Sequence, residues 1–232
     1  MSTKRIILIS GYARSGKDSL ATALEKHLAH REPVRVKFAN VLKTALGVAL
    51  QRIGLDVDVF TEDEQQKQAI RPLLVEFGKF ARSVDKDVFV KAAWRDICDL
   101  FQNGKGVVIV PDLRYVNEIN LISLWASSEG WAVTHIRISR MGNRAANEEE
   151  LQSINTLPKA DAHRIFAEGN LEGIDDWAEE LCRNPSLPVA ECWTATVNVP
   201  SNELLEQVLG IKLALERMDA RLKRLEVDRH DF

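Results

Sequence analysis

Ile6-Ile7-Leu8-Ile9-Ser10-Gly11-Tyr12-Ala13-Arg14-Ser15-Gly16-Lys17-Asp18 decides the fold of this chain. An apolar run feeds a G-x-x-x-x-G-K loop, and Leu20, Ala23, Leu24, His27 and Leu28 behind it recur at helical spacing. Strand, loop and helix in that order make a cradle for a polyphosphate. The glycines let backbone N–H groups converge, the lysine reaches the β- and γ-phosphates, and the positive end of the helix faces them. The residue after the lysine is normally Ser or Thr, whose hydroxyl ligates Mg²⁺; here it is Asp18, with Ser19 next. The carboxylate can hold the metal directly, hold it through water, or orient Lys17. Asp18 is the preferred metal-linked residue, and Ser19, about 100° further round the helix, is the second.

Working outward, 232 residues suffice for one substantial α/β domain with a small lid, and not for two full-sized domains. The net charge of −3, from 31 basic and 34 acidic residues, supplies no global field that would recruit nucleic acid. Cys98, Cys182 and Cys192 are scattered and odd in number, which suits a reducing cytosol; His163 with the last two lacks zinc-ligand spacing. No apolar run approaches the length of a membrane span, and the opening Met-Ser-Thr-Lys-Arg leads straight into the strand that the loop needs. The expectation is a soluble, cytoplasmic protein with neither nucleic acid nor membrane as partner.

The predicted fold class is α/β, a P-loop NTPase-like parallel sheet flanked by helices, with a small helical lid and a long C-terminal helix. A second strand is expected over 34–39, then a helix from an Asn40 N-cap to about residue 53, and a solvated segment over 61–68. In a helix over 72–84, Leu73, Phe77, Phe80, Ala81 and Val84 share one face. Arg71, Gly78 and Arg82 lie on the other, with an open groove over the glycine. That face reads either as a phosphate site or as a solvated surface. A helix over about 87–101 leads to the buried-strand run Val107-Val108-Ile109-Val110. Asp112, Arg114 and Glu118 follow at its C-terminal end, where open α/β sheets bind ligands. The alternative is that Asp112 and Glu118 only cap a helix over 117–127. After a strand over 133–138, Arg137, Arg140 and Arg144 share a face if the chain turns helical, either closing over phosphate or forming surface charge.

Residues 145–188 read as lid or peripheral helices, and 194–199 as a last strand. In the tail, Leu204, Val208, Ile211, Leu215, Met218, Leu222 and Leu225 alternate by four and three residues, the seam of a coiled coil. The resulting division is a kinase domain over 1–200, lid about 140–190, and an amphipathic helix over 201–232 that forms a homodimer or docks on its own core.

With Gly11 to Ser19, Phe38-Ala39-Asn40 followed by Leu42-Lys43, Arg71-Pro72-Leu73-Leu74 with Gly78, Arg82, Asp85 and Asp87, and Asp112-Leu113-Arg114 with Asn117-Glu118, the chain resembles the bacteriophage deoxynucleoside monophosphate kinases. The likeness covers about 4–145 and, loosely, 194–208. It implies transfer of the γ-phosphoryl group of ATP to a deoxynucleoside 5′-monophosphate, with Mg²⁺. Lys17, Arg114 and Asp112 are then catalytic; Gly11, Ala13, Arg14, Ser15, Gly16, Lys17, Asp18, Ser19, Arg140 and Arg144 bind ATP. Phe38, Lys43, Arg71, Gly78, Arg82, Asp112, Arg114, Glu118 and Arg137 bind the acceptor, and Asp18 and Ser19 the metal. A P-loop does not identify its acceptor, so a second reading is another small-molecule kinase, acting on phosphomevalonate, shikimate-like compounds or coenzyme precursors. A third is a nucleotide-binding switch whose tail recruits partners.

Overall fold

Ile6, Leu8 and Ile9 are fully buried and Ile7 nearly so, as a strand covered by helices on both faces requires. A computed structural model describes residues 4–167 and 171–183 and places this strand, β1 (Arg5–Ser10), at the centre of a five-stranded sheet. The others are β2 (Val34–Arg35), β3 (Val107–Leu113), β4 (Ala132–Arg140) and β5 (Ala162–Phe166), in the order β2-β3-β1-β4-β5, every pairing parallel. Around them lie α1 (Lys17–His27), α2 (Phe38–Arg52), α3 (Glu64–Val84), α4 (Val88–Gln102), α5 (Val116–Ser128), α6 (Glu148–Thr156) and α7 (Ile174–Arg183).

Strand side chains alternate between two cores. Ile6, Leu8, Val108, Val110 and Val133 join Val90, Ile97 and Ile122 of α4 and α5. Ile7, Ile9, Val107, Ile109, Ile136 and Ile138 join Leu20 and Leu24 of α1 and Trp177 and Leu181 of α7. Because β1 has β3 on one side and β4 on the other, the segments leaving β1 and β3 emerge side by side at the C-terminal edge, where ligands enter such sheets. Among the described residues, no helix is long and apolar enough to cross a membrane.

The predicted α/β class is the one observed, but several boundaries differ. β2 stops at Arg35 and α2 starts at Phe38, because a carboxylate from elsewhere, Asp112, takes up the Phe38 and Ala39 N–H groups; Asn40 lies inside the first turn rather than at a cap. The segment 61–68 is mostly helix: Asp63 caps α3 by accepting from Gln66 N, and the helix runs on through Pro72. The expected inner face of α3 turns inward only at Phe77 and, in part, Ala81. Leu73, Phe80 and Val84 are 46%, 65% and 75% exposed, whereas Gly78 is buried. Only Leu74 and Phe77 meet the small cluster of Leu46, Leu50 and Val59, so the helix buries a narrow seam that its apolar periodicity does not single out. β4 stays extended through Arg140, which puts Arg137 and Arg140 on opposite faces of a strand instead of one helical face. β5 was not anticipated within 145–188; His163, Arg164 and Ile165 are exposed, as an edge strand allows. The predicted strand over 194–199 and the heptad tail lie outside the described residues.

Candidate active site

The loop between β1 and α1 is held by two close approaches. Gly16, the N-cap of α1, has φ +103, and Gly11 has φ +148 with the β4 backbone directly above it; a Cβ on Gly11 would lie 2.2 Å from the Ile138 carbonyl oxygen. Lys17 opens α1 and folds its Nζ back onto the carbonyls of Gly11 (2.8 Å) and Tyr12 (2.7 Å). Burial lowers its pKa below the ordinary lysine value, opposed by the negative charge of Glu150. Ser15 Oγ is buried under the loop without a hydrogen-bond partner, while Arg14 is exposed. Asp18, 68% exposed, pairs with Lys37 Nζ at 2.6 Å and lies 3.7 Å from Arg35; Ser19 is exposed beside it.

At the end of β3 the register slips. Leu8 pairs with Val110 and Ser10 with Leu113, so Pro111 and Asp112 together face Ile9. Proline has no N–H to give the ladder, and the bulge turns Asp112 off the sheet. Its two oxygens accept from Phe38 N at 3.2 Å and Ala39 N at 2.9 Å, capping α2 rather than the helix that follows it. Enclosure raises its pKa against the pull of those two N–H groups. Glu118 does cap α5: one oxygen accepts from both Arg114 N and Tyr115 N at 2.9 Å. Arg114 donates through Nη2 to Glu150 at 3.0 Å. The Arg82 guanidinium stacks between the rings of Phe89 (5.0 Å) and Tyr115 (4.9 Å) and covers Gly78, where Leu42 closes the other side. The expected open groove over Gly78 is therefore filled. Arg71 is exposed at the far end of the same face.

Other predicted residues scatter. Phe38 is buried in the core beside Val110 and Leu113. Lys43 lies over the Phe60 ring at 5.4 Å. Arg137 reaches Asn155 Oδ1 at 3.5 Å, and the Nε atoms of Arg137 and Arg140 are buried without partners, donors suited to an anion. Arg144 is exposed. Three residues that sequence reasoning missed close the site from the β4 side: Asn143 Nδ2 donates to Ala13 O at 2.7 Å, Asn155 Oδ1 accepts from Tyr12 OH at 3.2 Å, and Glu150 accepts from Ala13 N at 3.1 Å. The only available signal was Asn147-x-x-Glu150, a cap pattern hidden in an acidic run that reads as solvated charge.

Among the described residues, no three His, Cys, Asp or Glu side chains converge as a metal cage. Mg²⁺ at a nucleotide needs only one or two protein oxygens, with phosphate and water completing the shell, and an exposed carboxylate next to a hydroxyl at the head of α1 fits that demand.

Two buried groups give the site a pH signature. His135 Nε2 lies 2.7 Å from Ser10 Oγ, and burial, aided by Arg137, lowers the imidazole pKa to about 4. Burial raises Glu118 to about 7. The depressed histidine contributes its stability above 6.5 and loses it as pH falls towards about 4; the raised carboxyl contributes below 4.5 and loses it as pH rises through about 7. Between 4.5 and 6.5 the two oppose each other. Glu118→Gln keeps an acceptor for the cap and removes one titration, so its urea midpoint is expected to fall more steeply on acidification than that of the wild type. Equal slopes would show that Glu118 does not titrate there.

A family model described as phosphomevalonate kinase matches residues 9–127, slightly more than half of the chain. The phosphomevalonate kinase of Drosophila melanogaster is 27% identical over 115 residues, covering 50% of this chain and 58% of that protein, so the chain spans little more than half the length of its relative. Among solved structures, the Mycobacterium tuberculosis APS kinase CysC in complex with AMPPNP and APS aligns with a TM-score of 0.45 at 13% identity, over 78% of this chain and 96% of that one. The family match overturns the expected deoxynucleoside monophosphate kinase and, with it, the bacteriophage assignment. The parts that suggested it, the loop with its helix, Phe38 to Lys43, Arg71 to Asp87 and Asp-x-Arg after β3, supply phosphate-binding groups that do not by themselves encode the acceptor.

Proposed function

From the premise that this chain belongs to the phosphomevalonate kinase family, we propose that it transfers the γ-phosphoryl group of ATP to the phosphate of mevalonate 5-phosphate, giving ADP and the diphosphate. The observation that carries this reading is that one family match, 9–127, takes in the loop, α3 and the end of β3 together. Those segments supply Lys17, Arg82 and Arg114; Arg82 lies over the Tyr115 ring, and Arg114 is the residue before Tyr115. A site for one nucleotide needs no second cluster of cations; a site for two phosphorylated compounds does.

In this mechanism an oxygen of the acceptor phosphate attacks the γ-phosphorus, and the bond to the bridging oxygen of ADP breaks. The acceptor is already an anion at neutral pH, so no strong base is required. Lys17 exchanges its loop carbonyls for phosphate oxygens, and Arg114 neutralises charge that spreads over the γ-oxygens. Arg82, fixed by two rings, and Arg71 hold the acceptor phosphate. Asp112 positions: its oxygens are committed to the head of α2, and through it to Lys43. Asp18 and Ser19 would hold Mg²⁺, which when bound offsets charge between the β- and γ-phosphates. Of the three arginines at and after the end of β4, Arg140 and Arg144 are assigned to the donor and Arg137, on the opposite strand face from Arg140, to the acceptor.

ADP release, coupled to NADH oxidation, is the direct test. Mevalonate 5-phosphate is expected to support turnover, and dGMP, dTMP, dCMP and shikimate to support none above ATP alone. Turnover with a nucleotide acceptor but not with mevalonate 5-phosphate would discard the proposal. Location in the cytoplasm is proposed from the scattered cysteines alone. A homodimer through the 204–225 seam rests on the heptad pattern, and light scattering on chains with and without 211–232 reads it.

A further inference from the structure

Glu150 is 2% exposed, and two of the three donors to its carboxylate come from other parts of the site. One oxygen accepts from Ala13 N at the crest of the loop (3.1 Å) and from Arg114 Nη2 (3.0 Å); the other accepts from Ala146 N (2.7 Å). Its own N–H is held by the Asn147 side chain at 2.8 Å, so α6 presents the carboxylate in a set position. A buried carboxylate with three donors is more than the capping of one short helix requires, and Asn147 already caps that helix. Two of the three donors lie 137 and 36 residues away in sequence, both in the phosphate site. Arg114 itself is 44% exposed, so the edge of the guanidinium that meets Glu150 is fixed while other N–H groups remain open to the cleft.

We propose that Glu150 is a positioning residue for phosphoryl transfer: it anchors the loop crest at Ala13 and aims Arg114 at the γ-phosphate of the bound nucleotide. An arginine on a long stem otherwise spreads over many rotamers, and a guanidinium clamped at one edge delivers the other edge without that loss. The inference rests on the kinase reading for the role of Arg114, but not on which acceptor is used.

The test needs nucleotide only. Dissociation constants of ADP and of β,γ-imido-ATP are measured by calorimetry for the full chain, and their ratio reports the contribution of the γ-phosphate. In the wild type that ratio is expected to be roughly tenfold or more, as a charge-assisted pair to the γ-phosphate supplies. Arg114→Ala, Glu150→Gln and the double variant are each expected to lower it by about threefold or more, the remainder being the share of Lys17, with ADP affinity moving less than about threefold. A double variant no worse than Arg114→Ala is the signature of a residue acting through another. Glu150→Asp, which keeps the charge but is a methylene short, repeats the measurement if the glutamine variant melts early. A wild-type ratio near one, a folded Glu150 variant with the wild-type ratio, multiplicative losses in the double variant, or failure of both Glu150 variants to fold would each overturn the proposal. Lack of turnover with mevalonate 5-phosphate leaves this ratio unaffected and strikes only the acceptor assignment.

Discussion

Lys17→Ala is expected to lower kcat for ADP formation by about 10²- to 10³-fold, the usual loss when one preorganised donor to the transferring group is removed. Thermal stability is expected to stay close to that of the wild type. The ammonium is partly withdrawn from water, which lowers its pKa, and its two hydrogen bonds are to Gly11 and Tyr12, carbonyls of its own loop. Desolvation and hydrogen bonding therefore oppose each other in the folded chain, so that deleting both changes stability little. Catalysis has no such compensation, since the other ammonium at the head of α1, that of Lys37, is paired with Asp18 at 2.6 Å and does not enter the loop. The lowered pKa adds a second readout: the alkaline decline of activity should begin below the 10.5 of an ordinary lysine, and Lys17→Arg should abolish that limb. Activity within a few-fold of wild type in Lys17→Ala would remove the loop from the reaction.

Gly11→Ala has the largest expected effect on folding. A methyl group there would overlap the Ile138 carbonyl at 2.2 Å, in a backbone conformation with φ +148, so overpacking and strain add to about 3–5 kcal/mol. For a chain of this length that lowers Tm by roughly 10 °C or more. Gly54→Ala is the natural comparison. It has positive φ as well, +81, but open space around the position, and is expected to cost only about 1 kcal/mol of backbone conformation. Equal melting temperatures for the two variants would mean that β4 does not press on the loop as described.

The residues of the loop and of Asp112 to Glu118 were legible for different reasons. The loop is a contiguous pattern in which each glycine answers a local backbone demand, and Gly16 and Gly11 do have positive φ. The end of β3 was found by contrast, four buried apolar residues followed at once by charge. What those charges do was less readable. Glu118 meets its cap partners three and four residues away, but Asp112 meets Phe38, 74 residues distant. α3 shows the limit of periodicity: its apolar stripe through Leu73, Phe80 and Val84 is regular and nevertheless faces outward, because the seam is chosen by where Leu46, Leu50 and Val59 already lie. The acceptor was misread for a related reason. Cations that hold phosphate do not differ between a nucleotide and a phosphorylated acid, and the deciding shape of the cleft is not written in them.

Read from its residues alone, this chain declares a strand, a phosphate-binding turn and a helix, and with them a parallel α/β architecture, because each of those signals is complete within a few neighbouring positions. Tertiary structure alone joins Glu150 to Ala13 and Arg114, sets Asp112 at the head of α2 and lays Ile138 across Gly11. These are contacts between segments far apart in the chain, and their geometry exists only once both cores have closed on the sheet.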